Sequence, residues 1–124
     1  MESKKILVVD DYRDSRKMVI KLLQSSDIDA EYYEAIHAEN AFEILATEKI
    51  DLIISDLMMP GLNGCEFIEK VRKEKAIDTK FILMTASLEN YHKIGSNFDQ
   101  EGVPLIETSQ LFTKLVAEVK NSLK

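Results

Sequence analysis

Five strand-length segments, most of them apolar runs, alternate with segments of helical periodicity from one end of this chain to the other. Lys4–Asp10 reads as a buried strand, Ala30–Ala35 as a second and Asp51–Ser55 as a third. Phe81-Ile-Leu-Met84 is a fourth run of strand length, and Val103–Glu107 a short fifth. Between them, Ser15–Ser26 repeats Met18, Val19, Leu22 and Leu23 on one helical face. About Ala38–Glu48 does the same with Ala41, Ile44 and Leu45, and about Gly64–Lys75 with Phe67, Ile68 and Val71. Leu88, Tyr91, Ile94 and Phe98 recur at helical spacing, although Gly95, Ser96 and Asn97 weaken that helix. About Gln110–Leu123 is a final amphipathic helix. Strict strand–helix alternation predicts an α/β fold, a five-stranded parallel sheet with right-handed crossovers and helices on both faces.

With 124 residues evenly divided, the chain is expected to be a single domain over 1–124, large enough to bury roughly two-thirds of its unfolded surface. No apolar run approaches the ~20 residues of a membrane span, and no signal peptide opens the sequence, so no membrane insertion is expected. One cysteine, Cys65, cannot form an internal disulfide, which points to a reducing cytoplasm. The net charge of −6 argues against direct nucleic-acid binding, which draws on clustered Lys and Arg to neutralise phosphates.

The chemistry lies at the ends of the strands. Asp10-Asp11 closes the first apolar run, and Asp56 closes the third and opens Asp56-Leu-Met-Met-Pro-Gly-Leu-Asn-Gly64. In a parallel sheet the carboxyl ends of neighbouring strands meet at the edge where open α/β folds bind ligands. Three carboxylates gathered there repel one another unless a cation or proton sits among them. An all-oxygen cluster suits Mg²⁺, which binds one or two carboxylates together with waters and a phosphate. A carboxylate beside Mg²⁺ can attack a phosphoryl group and become an aspartyl phosphate. Asp56 is the preferred nucleophile, because Pro60, Gly61 and Gly64 shape a tight loop directly after it that can turn the Met58 carbonyl toward the metal. Asp11 would be a direct ligand and Asp10 a ligand directly or through water. Thr85 and Ala86, after the fourth strand, offer a hydroxyl for a phosphoryl oxygen beside a small residue that leaves access.

Asp10-Asp11, the stretch from Asp56 to Gly64, and Thr85-Ala86 resemble, in order and spacing, the receiver domain of two-component response regulators, in particular the stand-alone type seen in chemotaxis regulators. The resemblance implies a flavodoxin-like fold with strand order 2-1-3-4-5 and a metal site of Asp10, Asp11, Asp56 and the carbonyl of Met58. It also implies a phosphoacceptor at Asp56, a switch hydroxyl at Thr85, and a histidine kinase or histidine phosphotransfer protein as donor. Output would pass through protein contacts on the face of the fourth and fifth helices to an unidentified target. The family's lysine after the fifth strand is not matched. Aligned back from the last helix, its place falls at Thr108-Ser109; aligned forward from Gly102, at Ser109-Gln110. The switch aromatic three positions earlier is Leu105 or Ile106, and Lys114 lies well into the last helix.

Plainer readings stand beside these. Strand-end aspartates also serve as turn and cap residues, and Asp14 is expected to cap the first helix. Thr85 has a second reading as the cap of the fourth helix, and Met59 and Pro60 shape the loop. Cys65 is expected to pack as a small residue near a helix start, and His37 and His92 to be isolated imidazoles. Three functions fit the chain. The first is a phosphoryl-accepting signalling module, which is not an enzyme with turnover. The second is a pseudo-receiver, binding partners without phosphorylation, consistent with the missing lysine and aromatic. The third is a small phosphatase working through an aspartyl intermediate, which would want a general acid where Met58 stands.

Overall fold

In a computed structural model that describes residues 3–75, 79–95 and 102–124, the expected alternation is present throughout. The elements are β1 (Lys4–Val9), α1 (Arg13–Gln24), β2 (Ala30–Ala35), α2 (Ala38–Thr47), β3 (Leu52–Asp56), α3 (Gly64–Lys75), β4 (Lys80–Thr85), α4 (Leu88–Gly95), β5 (Leu105–Glu107) and α5 (Val116–Ser122). Every strand pair is parallel, and the sheet runs β2-β1-β3-β4-β5. This is the flavodoxin-like order that the resemblance implied.

Strand side chains alternate between the two faces of the sheet, and the core divides accordingly. Leu7, Val9, Ile53, Phe81 and Leu83 pack on one side with Ala41 of α2 and Phe67, Ile68 and Val71 of α3. Ile6, Val8, Leu52, Ile54, Ile82 and Met84 pack on the other with α1 and the C-terminal helical segment. Burial on both faces explains why β1, β3 and β4 read as continuous apolar runs rather than as alternating ones.

Several boundaries depart from expectation. Helix α1 begins at Arg13, two residues early, and its buried face is Val19, Ile20 and Leu23; Met18 is 42% exposed. Ile20 therefore takes the place expected for Met18, because the helix sits rotated on β1. Tyr12 is the N-cap residue of α1 with no side-chain cap bond, so Asp14 lies in the first turn and does not cap it. In α4, Tyr91 and Ile94 pack on the core while Leu88 is exposed; Ser96, Asn97 and Phe98 lie outside the described residues. Strand β5 has three residues, and the last helix opens irregularly, as a 3₁₀ turn over Thr108–Gln110 and a π turn over Leu111–Leu115.

Candidate functional site

The parallel register sets the ends of neighbouring strands side by side. Val9 is opposite Ser55, and Asp56 opposite Met84, so the residues just past β1 and at the end of β3 meet at one edge. There the carboxylates of Asp10, Asp11 and Asp56 offer oxygens that all lie within 4.8 Å of one another. Asp10 is buried at 4% exposure, Asp56 is half-buried and Asp11 is exposed.

Local bonds hold each acid in place. Asp10 extends β1 by one further bond, its N–H donating to the Ala35 carbonyl at 3.0 Å, and its Oδ1 accepts from the Tyr12 N–H at 3.0 Å. Beyond Asp56 the Leu57 N–H donates to the Met84 carbonyl at 2.8 Å, and the Gly64 N–H returns to the Leu57 carbonyl at 2.7 Å. The loop between them turns at Gly61, whose φ of +79° lies in the left-handed region that glycine adopts without a steric cost. It then enters α3 through a reciprocal cap. The Asn63 side chain accepts from the Glu66 N–H at 2.9 Å, while Glu66 accepts from the Asn63 N–H at 3.0 Å.

The electrostatics of the cluster call for positive charge. Burial first, and then the neighbouring Asp10, push the Asp56 carboxyl up from 3.8 to about 7, against the opposing pull of the Leu57 and Met58 main-chain N–H groups. The Asp10 carboxyl is also raised, chiefly by burial, with the Tyr12 N–H opposing. Near neutral pH the cluster therefore retains a proton that a cation would displace. An all-carboxylate donor set of this size fits a hard divalent ion such as Mg²⁺. Asp10, Asp11 and Asp56 open into a pocket of about 460 Å³, with Tyr12, Ser15, Ala86 and Thr108 also on its wall. A larger hollow of about 730 Å³ lies among Lys4, Lys49, Lys80 and Lys124 near the opposite edge of the sheet. The acids there are already engaged, Asp51 by the Lys5 N–H at 2.8 Å and Glu48 by the Lys5 ammonium at 3.0 Å. The smaller, acidic pocket is thus the candidate site.

Most of the residues picked out from the sequence gather here, and some do not. Ala86 lines the pocket. The buried Thr85 hydroxyl is turned onto Ser87, donating to its carbonyl at 2.9 Å and accepting from its N–H at 3.0 Å. Ser87, not Thr85, caps α4, its Oγ accepting from the Asn90 N–H at 3.2 Å. The Met58 side chain is 51% exposed. Thr108, the first residue after β5, is on the pocket wall. No Lys or Arg is among the described residues lining the pocket. His37 proves to be the N-cap of α2, Nδ1 accepting from the Asn40 N–H at 3.1 Å. Sequence reasoning passed over Tyr12, Ser15 and Arg16. Their parts depend on how α1 sits against the strand ends, and only their nearness to Asp10-Asp11 hinted at it.

The sequence profile of the response regulator receiver domain matches residues 6–101. Over 98 residues, 76% of this chain, it is 34% identical to the phosphate regulon transcriptional regulatory protein PhoB of Pseudomonas aeruginosa, of whose length it covers 41%. It is 34% identical over 84 residues to a chemotaxis protein CheY homolog of Campylobacter jejuni, covering 67% of this chain and 64% of that one. The response regulator TrrA of Thermotoga maritima, solved in complex with Mg²⁺-BeF, superposes with a TM-score of 0.79 at 32% identity over 96% of this chain and 98% of that one. The chain thus spans about two-fifths of the transcriptional regulator and most of the chemotaxis relative. Among the described residues no helix is long and apolar enough to cross a membrane.

Proposed function

The chain belongs to the family of response regulator receiver domains, and on that premise we propose that it is a phosphoryl-accepting signalling domain in which Asp56 receives the phosphoryl group. The observation that carries this reading is the approach of Asp10, Asp11 and Asp56 to within 4.8 Å at the ends of adjacent strands. The donor is a phosphohistidine on a histidine kinase or phosphotransfer protein, acting in the cytoplasm. An oxygen of Asp56 attacks phosphorus, the new P–O bond forming as the P–N bond to the donor imidazole breaks. Asp10, Asp11, Asp56 and the carbonyl of Met58 would hold Mg²⁺, which would supply neutralisation of the phosphoryl oxygens. The likeness to TrrA, solved with Mg²⁺-BeF, supports that assignment.

Thr85 serves as the switch hydroxyl only after its two bonds to Ser87 exchange for one to the phosphoryl group, so phosphorylation loosens the entrance to α4. The chain is a phosphoacceptor rather than an enzyme with turnover, since Met58 has no proton to give a leaving group. Output through protein contacts, in the manner of a chemotaxis regulator, draws support from the Campylobacter relative.

The test is intact mass after incubation with Mg²⁺ and acetyl phosphate. A single phosphate adduct is expected on the wild type and on neither Asp56→Asn nor an EDTA control. If neither acetyl phosphate nor a phosphorylated histidine kinase leaves an adduct, the reading fails in favour of a binding module that works without phosphorylation.

A further inference from the structure

Arg16, one turn into α1, reaches back to the strand end. Its Nη1 donates to the main-chain carbonyl of Asp10 at 2.9 Å, and its Nε to Glu34 Oε1 at 3.0 Å. The other oxygen of Glu34, on β2, accepts from the Lys17 ammonium at 2.6 Å. The Arg16 side chain is 11% exposed, so these bonds form away from most of the solvent that weakens surface ion pairs. A planar guanidinium with two of its donors committed has a fixed orientation, which an ammonium would not. We propose that Arg16, held by Glu34, is a positioning residue for the acidic pocket: by fixing the Asp10 carbonyl it sets the direction in which Asp10 and Asp11 leave β1.

Tyr12 belongs to the same arrangement. The peptide between Asp10 and Asp11 is held at its carbonyl by Arg16, and the Asp10 side chain is held by the Tyr12 N–H. Release of the carbonyl frees the chain to rotate where both acids begin, and Asp11, exposed, has little else to orient it. Lys17 keeps Glu34 ionised: its hydrogen bond first, with Arg16 adding, holds that carboxyl below its ordinary range.

Charge alone predicts the opposite outcome, which makes the inference decidable. Removing a cation near three carboxylates tightens divalent binding if Arg16 acts only through its field. If Arg16 positions the acids, its removal weakens binding, by about tenfold, the low end for groups that orient metal ligands. The inference rests on Asp10 and Asp11 being metal-side acids, and the experiment separates the two. Mg²⁺ is titrated into ¹⁵N-labelled protein while the Asp11 and Tyr12 amides are followed, with urea unfolding as the check on folding. Arg16→Met and Glu34→Gln are expected to weaken the dissociation constant about tenfold, Arg16→Lys by less, and the charge control Lys21→Met not at all. Wild-type protein that binds no Mg²⁺ overturns the metal assignment, and the inference with it. Wild-type binding with equal or tighter binding by folded Arg16→Met overturns the positioning role alone.

Discussion

Gly64 stands so close behind Asp56 that a Cβ at position 64 would lie 2.6 Å from the Asp56 main-chain oxygen and 2.6 Å from Cδ1 of Leu83. The first turn of α3 can therefore seat against the end of β3 only without a side chain, and this contact delivers the loop that follows the phosphoacceptor. Gly64→Ala is expected to lower stability by about 1–3 kcal/mol, the usual cost of overpacking, read as a lower urea midpoint. It should also weaken Mg²⁺ binding, since the strand end must shift. At Gly61 nothing lies within 4 Å of a Cβ, and only its φ of +79° resists substitution. Gly61→Asn, a residue that tolerates that region, should therefore cost well under the ~1–2 kcal/mol of other side chains. Equal midpoints for wild type and Gly64→Ala would mean that the loop is not seated as described.

Stability of the metal-free protein should rise on acidification from pH 8 to about 5. The folded Asp56 carboxyl titrates near 7 and its unfolded counterpart near 3.8. Between those values the folded state holds a proton that the unfolded state has released, so stability falls as pH rises. This contribution is fully present below 3.8 and gone above about 7. After allowance for screening at a half-exposed group it amounts to about 1–2 kcal/mol. Asp10, also raised, acts in the same direction. Glu34 and Glu48, held low, oppose it only at more acidic pH. Urea midpoints across the range, with and without Mg²⁺, check this: Asp56→Asn should flatten the slope, and saturating Mg²⁺ should reverse it. A flat profile in the wild type would mean that the carboxylates are solvated rather than crowded.

Cys65 is fully buried, and burial together with Glu66 pushes its thiol up to about 11 from 9.0. The helix start at which it sits does not make it reactive. Because the thiolate is the reactive form, thiol-disulfide exchange in the native protein should be at least ~100-fold slower than in urea. Ellman's reagent at pH 8 measures both rates, and native labelling at the unfolded rate would place the side chain at the surface.

The strand ends were legible from sequence because they depend on order along the chain. An apolar run followed by an acid needs only parallel pairing to bring Asp10, Asp11 and Asp56 together. What was not legible depends on rotation about an axis. Met18 and Ile20 are both apolar and compete for the inner face of α1, and the rotation of the helix against the sheet buries Ile20 and leaves Met18 exposed. Thr85 lies at the expected place, yet its hydroxyl finds Ser87, a choice between local partners that no periodicity encodes. Arg16 resembles any surface arginine until the β1–β2 register brings Glu34 within reach. The irregular opening of the last helix is not legible because the apolar spacing at Leu111, Leu115 and Val119 suits a regular α-helix, while the backbone is a 3₁₀ turn over Thr108–Gln110 and a π turn over Leu111–Leu115.

Thr108 gives the most direct handle on the pocket. It shares the wall with three carboxylates, and no described Lys or Arg lines that wall with it. An ammonium introduced at this position would face the same charge that a divalent ion neutralises. Thr108→Lys is therefore expected to lower the Asp56 carboxyl toward the ordinary range and to remove much of the acid-side gain in stability. It should weaken Mg²⁺ binding several-fold through repulsion between like charges. Once phosphate is present the balance changes sign. A lysine-to-phosphoryl bond, worth roughly 1.5–3 kcal/mol as a charge-assisted contact, should prolong the life of the aspartyl phosphate. Mg²⁺ titration together with the decay of the mass adduct measures both halves. An unchanged dissociation constant and an unchanged decay rate would show that the side chain at 108 does not face the acids, and that this chain meets the phosphoryl charge from another direction.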